Sequence, residues 1–296
     1  MKKVKFAAAF VAAFALAAFV LVGCSSGGSS SASASASSAS ASSESASASS
    51  ASASSAASGE FTLVVGFDAE YPPYGFVGDD GQYTGFDLDL AQAVCEANGW
   101  EFKAEPIDWD AKDALLNSGA INCIWNGFTM EGREGNYAFS DPYMLNEQVV
   151  VVKKDSGIAD LAGLAGKAVM TQADSAALEV LSDEEGQKAL ADTFAKLETI
   201  GDYNNAFMQL DSGMVDAVAC DLSIAQYQMS ANPDKYVMIE EPLSSEHYAV
   251  GFAKDDTATA ETVTASLKAL YADGTVKTLC EKYAEYGLSF DNWVLV

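Results

Sequence analysis

From Phe61 onward, short apolar runs alternate with segments whose apolar positions recur every three or four residues. Residues 61–67 read as a strand. From Asp87, by contrast, Leu90, Ala91, Val94 and Cys95 share one face of a helix that Gly99 stops. A strand over 101–105, a helix over 110–116 and a strand over 121–125 follow. This β-α-β-α-β order predicts a parallel-rich sheet with helices on both faces. A second unit begins after a strand at 149–153, with strands at 167–171, 197–200 and 215–220 and helices starting at Ser175, Tyr203 and Leu222. Residues 248–252 read as one further strand. Two helices separated by Gly274 come next, the first with Val263, Leu267, Leu270 and Tyr271 on one stripe, the second with Val276, Leu279 and Tyr283. Strands near 150 and 249 are the natural crossings between two lobes, which places 60–152 plus 250–296 in the first lobe and 153–249 in the second. Ligands bind open α/β sheets at the carboxyl ends of the strands, so the expected site is the cleft between the lobes.

The amino-terminal region has a different grammar. Lys2, Lys3 and Lys5 precede an uncharged Ala/Phe/Val run over 6–22, as in a signal peptide over 1–23. The run also approaches the length of an uncleaved membrane anchor. It ends in Leu21-Val22-Gly23-Cys24, which resembles the lipobox of bacterial lipoproteins. That resemblance implies diacylation of Cys24, cleavage before it and a further acyl group, such as palmitate, on the new amino terminus; dual acylation gives stable anchoring. Residues 25–59 are almost wholly Ser, Ala and Gly, with Glu44 the one charge, so no apolar face exists to bury. A flexible tether of this length has a root-mean-square span of about 30–35 Å.

Charge and cysteine content narrow the function classes. With 16 basic and 42 acidic residues the formal net charge is −26, which excludes nucleic acid and anionic headgroups as partners of the globular part. Beyond Cys24, the cysteines Cys95, Cys123, Cys220 and Cys280 lack CxxC spacing and lie in apolar stretches. They read as buried small hydrophobes, with a disulfide as the alternative. His247 is the one histidine, and no metal site and no cofactor are expected.

Five motifs occur in order. They are Gly66-Phe67-Asp68-Ala69-Glu70-Tyr71-Pro72-Pro73-Tyr74 with Gly85-Phe86-Asp87-Leu88-Asp89-Leu90-Ala91; Asn126-Gly127-Phe128-Thr129-Met130-Glu131-Gly132-Arg133 with Phe139-Ser140-Asp141-Pro142-Tyr143; Gly166-Lys167-Ala168-Val169 with Gln172-Ala173-Asp174-Ser175; Asp216-Ala217-Val218 with Asp221; and Ala272-Asp273-Gly274-Thr275. Together, from Phe61 to about Tyr283, they resemble the polar amino-acid (family 3) solute-binding proteins of ABC importers. The resemblance implies a two-lobe, periplasmic-binding-protein-like fold (type II), with a ligand cleft between lobes joined by two crossing segments.

The matched residues suit the chemistry of a free amino acid, whose burial demands an anion clamp and a cation clamp on one carbon. Arg133 is the single arginine among the 16 basic residues, and a guanidinium grips a carboxylate bidentately. As an isolated residue it also fits a surface position after a turn. Ser175 and the Ala176 amide stand at a helix start, where ordinary capping and carboxylate binding are both open. By resemblance Asp221 binds the ammonium, with the Gly127 carbonyl and the Thr129 hydroxyl; as a bare strand-end acid it is also a candidate helix cap. Thr129 stands four residues before Arg133, where most members of that family have five. By resemblance Tyr71 covers one side of the solute and Asp68 reaches its side chain. Trp125 is either another wall or core.

These residues imply a monomeric extracytoplasmic binding component at the outer face of a bacterial cell membrane, held there through its lipid alone. It would close on a free amino acid, polar or cystine-like, and deliver it to an ABC permease with its ATPase. The rivals are a dehydratase-like enzyme on the same fold and a tethered amino-acid sensor. No nucleophile–base pair, metal constellation or phosphate loop supports catalysis.

Overall fold

The computed structural model describes residues 61–296. The expected signal peptide over 1–23, the expected lipidation site Cys24 and the Ser/Ala tract lie outside them.

In chain order the elements are β1 (Thr62–Phe67), β2 (Glu70–Tyr71), β3 (Gly75–Val77), β4 (Tyr83–Thr84), α1 (Phe86–Asn98), β5 (Glu101–Pro106), α2 (Lys112–Ser118), β6 (Cys123–Ile124), β7 (Tyr137–Phe139) and β8 (Met144–Lys153). Then come β9 (Ala168–Gln172), α3 (Ala176–Ser182), α4 (Lys188–Ala191), β10 (Lys196–Ile200), α5 (Tyr203–Ser212), β11 (Ala217–Asp221), α6 (Leu222–Ala231), β12 (Tyr236–Met238), β13 (Ser244–Tyr248), β14 (Gly251–Ala253), α7 (Thr257–Ala272) and α8 (Thr275–Lys282). A 3₁₀ turn at Trp109–Ala111 leads into α2, where the sequence predicted a single helix from 110. Among the described residues no helix is long and apolar enough to cross a membrane.

Two sheets organise the lobes. The first has the order β5-β1-β6-β14-β7 and the second β10-β9-β11-β8-β12, with β13 also on β8. Pairing of β1 with β5 and β6, and of β9 with β10 and β11, is parallel, as the alternation predicted. A small β2-β3-β4 sheet, with no counterpart in the sequence-based expectation, carries Tyr71.

Val149, Val150, Val151 and Val152 are all buried because the second sheet is covered on both faces. Successive side chains point to opposite faces. Val149 and Val151 accordingly join the cluster containing Tyr203, Phe207 and Ile224 of α5 and α6, whereas Val150 and Val152 join that of Ala177 and Leu181 of α3.

Two boundaries differ from those expected. The strand expected at 149–153 begins at Met144 and pairs along its whole length within the second sheet, so the first crossing is 140–143 rather than at 152. The single strand expected over 248–252 is two. β13 belongs to the second sheet and β14 to the first, with Ala249 and Val250 as the second crossing. The crossings hold one another: Ser140 N donates to Val250 O at 3.0 Å, Val250 N to Ser140 Oγ at 3.0 Å and Tyr143 N to Tyr248 O at 2.9 Å.

The four cysteines among the described residues are buried and unpaired.

Candidate functional site

Between the lobes lies a small cavity lined by Tyr71, Trp109, Gly127, Thr129, Arg133, Gln172, Ser175, Ala176 and Asp221. Seven residues singled out from the sequence meet here: Tyr71, Gly127, Thr129 and Arg133 from the first lobe, and Ser175, Ala176 and Asp221 from the second.

One end of the cavity offers hydrogen-bond acceptors. Asp221 ends β11 and stands at the N-cap position of α6, yet its side chain caps nothing. Its Oδ1 instead accepts from Asn146 Nδ2 at 2.9 Å, Gln148 Nε2 at 2.7 Å and the Tyr248 hydroxyl at 2.9 Å. Burial raises its pKa above the ordinary carboxylate value. Gly127 has φ 58, a left-handed conformation that glycine adopts without strain. Its N–H is turned inward to Asp87 Oδ2 at 2.6 Å. The Thr129 hydroxyl donates to Glu246 Oε1 at 2.7 Å, and with its one proton committed it can only accept from the cavity.

The other end offers donors. Arg133 is 5% exposed, its guanidinium 4.8 Å from the Phe128 ring. Nε and Nη2 donate to Glu179 Oε1 at 3.2 and 2.9 Å, and Nη1 to the Thr129 carbonyl at 3.3 Å. Guanidinium carries five N–H bonds, so one each on Nη1 and Nη2 remains, the fork that grips a carboxylate end-on. Ser175 N-caps α3: Oγ accepts from Leu178 N at 3.2 Å and donates to Gln172 O at 2.8 Å. That hydroxyl proton is therefore spent on the backbone, and the Ala176 amide, in the first turn of α3, is the group left to face an anion.

The remaining walls separate two tryptophans. Trp125 is 0% exposed and packs in the main core. The aromatic wall is Trp109, which sequence reasoning missed; its Nε1 donates to the Asp174 carbonyl across the cleft at 3.2 Å. Beside it buried Lys112 pairs with the half-exposed Asp174 carboxylate. Asp68 stands behind Gln172 rather than in the cavity wall, accepting from Gln172 Nε2 at 2.7 Å and from Glu70 N at 2.8 Å. Burial pushes its pKa to about 6. Asp68 also lines an adjoining acidic opening with Glu70, Asp108, Asp110 and Asp202. His247 lies outside the cavity, its Nδ1 2.7 Å from Glu131 Oε1. Among the described residues no cluster of His, Cys, Asp or Glu is arranged to hold a metal ion.

Known proteins resemble this chain in sequence and in fold. The L-cystine-binding protein TcyJ of Escherichia coli (strain K12) is 29% identical over 226 residues, 75% of this chain and 82% of that protein. The ABC transporter arginine-binding protein 1 of the same organism is 26% identical over 234 residues, 77% of this chain and 92% of that protein. Among solved structures, an ABC uptake transporter substrate-binding protein from Streptococcus pneumoniae with bound histidine superposes with a TM-score of 0.73 at 33% identity, covering 77% of this chain and 94% of that one. These relatives are named as binding proteins, which favours binding over the dehydratase-like alternative. Residues 63–286 match the family described as bacterial extracellular solute-binding proteins, family 3, and the chain belongs to that family.

Proposed function

We propose that this protein captures a free α-amino acid outside the cytoplasm and delivers it to an ABC permease with its ATPase. The observation that carries this reading is a single cavity in which a buried guanidinium from one lobe, Arg133, shares walls with a buried carboxylate from the other, Asp221. In this reading the solute's carboxylate takes the Arg133 fork and the Ala176 amide. Its ammonium takes Asp221, the Gly127 carbonyl and the Thr129 hydroxyl, and Tyr71 and Trp109 cover the carbon skeleton. Charges buried without partners are costly, so only a solute carrying both charges stabilises the closed lobes. The side chain points toward Gln172 and Asp68. Relatives named for cystine and arginine and a structure with bound histidine share an α-amino acid head with different side chains, which supports placing the common clamp at Arg133 and Asp221. Lipid on Cys24 and the Ser/Ala tract would keep this monomer tethered at the outer face of the cell membrane, the signal segment having been removed.

A thermal-shift panel of free amino acids on the purified protein tests the reading. Saturation at about 100 times the dissociation constant adds about 2.7 kcal/mol of stability. At least one amino acid should raise the melting temperature; a flat panel would refute the reading.

A further inference from the structure

The acceptor end of the cavity holds more negative charge than one ammonium requires. Asp221 and Glu246 are 4% and 3% exposed, and no ion pair among the described residues reaches either. Two side-chain amides join them instead. Asn146 Nδ2 donates to Asp221 Oδ1 at 2.9 Å and to Glu246 Oε1 at 2.8 Å. Gln148 Nε2 donates to the same two oxygens at 2.7 and 2.8 Å. An amide nitrogen has two hydrogens, so each amide spends both, and the two oxygens and two nitrogens close a ring.

Strand register builds this ring. Asn146 and Gln148 are two apart on β8 and therefore share a face. Asp221 lies opposite Gln148 on the strand along one edge of β8, and Glu246 opposite Asn146 on the strand along the other. Glu246 Oε1 takes a third donor, Thr129 Oγ1 at 2.7 Å, from the opposite lobe.

We propose that Glu246 is a positioning residue of the ammonium subsite: it fixes Thr129 as an acceptor and, through the shared amides, sets the direction of the Asp221 carboxylate. The subsite then selects a cation with several N–H donors over a hydroxyl or a neutral amide. This inference rests on the amino-acid reading of the cleft.

Capture is then linked to a proton. Two carboxylates this close do not both ionise easily in a dry site. Burial, with the charge of Asp221 beside it, raises the pKa of Glu246 to about 7. The groups facing the pair are Thr129 and Tyr71 from the first lobe, Asn146 and Gln148 of β8 and Tyr248 of β13. Glu131, Glu179 and Asp183 border Glu246 from outside, and Arg133 is engaged by Glu179. When an ammonium arrives, the ionised pair becomes favourable, the carboxyl O–H bond breaks and water takes the proton. Affinity falls as pH drops.

The test begins with the full panel of free amino acids; if none shifts the wild-type protein, the amino-acid reading fails and this inference falls with it. The strongest binder is then titrated by calorimetry at pH 5.5, 7 and 8, in buffers of different protonation enthalpy. Wild-type protein should release protons below pH 7 and bind more weakly at pH 5.5 than at pH 8. Glu246→Gln keeps an acceptor for Thr129 but removes a charge, so proton release and the pH slope diminish, and affinity at pH 8 falls by less than in Glu246→Ala. Glu246→Ala removes the acceptor too and should cost about tenfold at pH 8, one hydrogen bond's worth. Wild-type proton release in Glu246→Gln, or Glu246→Ala binding within about twofold of wild type, would overturn the proposal while leaving the amino-acid reading standing. Should Glu246→Ala fail to fold, the isosteric Gln variant decides.

Discussion

The backbone amide of Gly127 donates to Asp87 at 2.6 Å, so a carboxylate outside the cavity wall anchors the backbone at a residue that lines it. Tyr143 holds the same carboxylate at 2.9 and 2.8 Å. Burial pushes Asp87 up to about 7, as it pushes Asp68 to about 6 and Glu246 to about 7. All three lie above the unfolded-state carboxylate values of about 4. Between pH ~4 and 7 the folded protein therefore binds more protons than the unfolded chain, and stability decreases as pH rises through that window. Thermal melts without added amino acid should give a higher midpoint at pH 5 than at pH 8. A higher midpoint at pH 8 would contradict this account.

Arg133→Ala should lower amino-acid affinity by about 2–5 kcal/mol, since a carboxylate buried without its partner bears the full cost of lost hydration. Folding should be little affected, because the abandoned Glu179 side chain is 47% exposed and remains hydrated. Arg133→Lys keeps the charge without the fork and should fall between. Calorimetric titration of the three proteins checks the order, and unchanged binding by Arg133→Ala would remove Arg133 from the site.

The Lys112–Asp174 contact is unequal: the side chains are 3% and 48% exposed. Removing the exposed member strands a buried ammonium, whereas removing the buried member frees a carboxylate into water. Asp174→Asn should therefore destabilise by about 1–3 kcal/mol and Lys112→Met by less. Urea denaturation of the two variants compares them directly; a larger loss for Lys112→Met would show that packing of the Lys112 stem, not its charge, dominates.

Trp109 lines the cavity and Trp125 does not. Trp109→Phe should abolish the change in intrinsic fluorescence on amino-acid binding and weaken affinity. Trp125→Phe should leave affinity intact and reduce stability by about 1–3 kcal/mol, through a core gap. Titration by fluorescence together with thermal melts separates the two roles, and an unchanged signal in Trp109→Phe would move the wall elsewhere.

What the sequence revealed follows the range of the interactions involved. Arg133, Thr129 and Gly127 are close in sequence and their loop is local, so a motif carried them into view. Glu246 had no such signal, because its donors lie 98, 100 and 117 residues away and strand pairing alone brings them together. The one hint was alternation: in β13 the pattern of burial puts Glu246 and Tyr248 on the same covered face. Trp109 was hidden in a 3₁₀ turn that carries no periodicity. Trp125 was ambiguous because Cys123, Ile124 and Trp125 are all 0% exposed, and a strand covered on both faces gives alternation nothing to report. The break at Ala249 was illegible for a related reason: β propensity is the same on either side, and only the change of partner sheet distinguishes β13 from β14.

That change of partner has a mechanical meaning. Because the two crossing segments are hydrogen-bonded to each other through Ser140, Tyr143, Tyr248 and Val250, they form a ribbon rather than two independent strings. A ribbon bends across its plane but resists sliding and twisting, since either would break the bonds between its strands. In the proposed clamp, opening and closing would therefore follow one arc, as a door does on a pinned hinge, and would return Arg133 and Asp221 to the same mutual alignment.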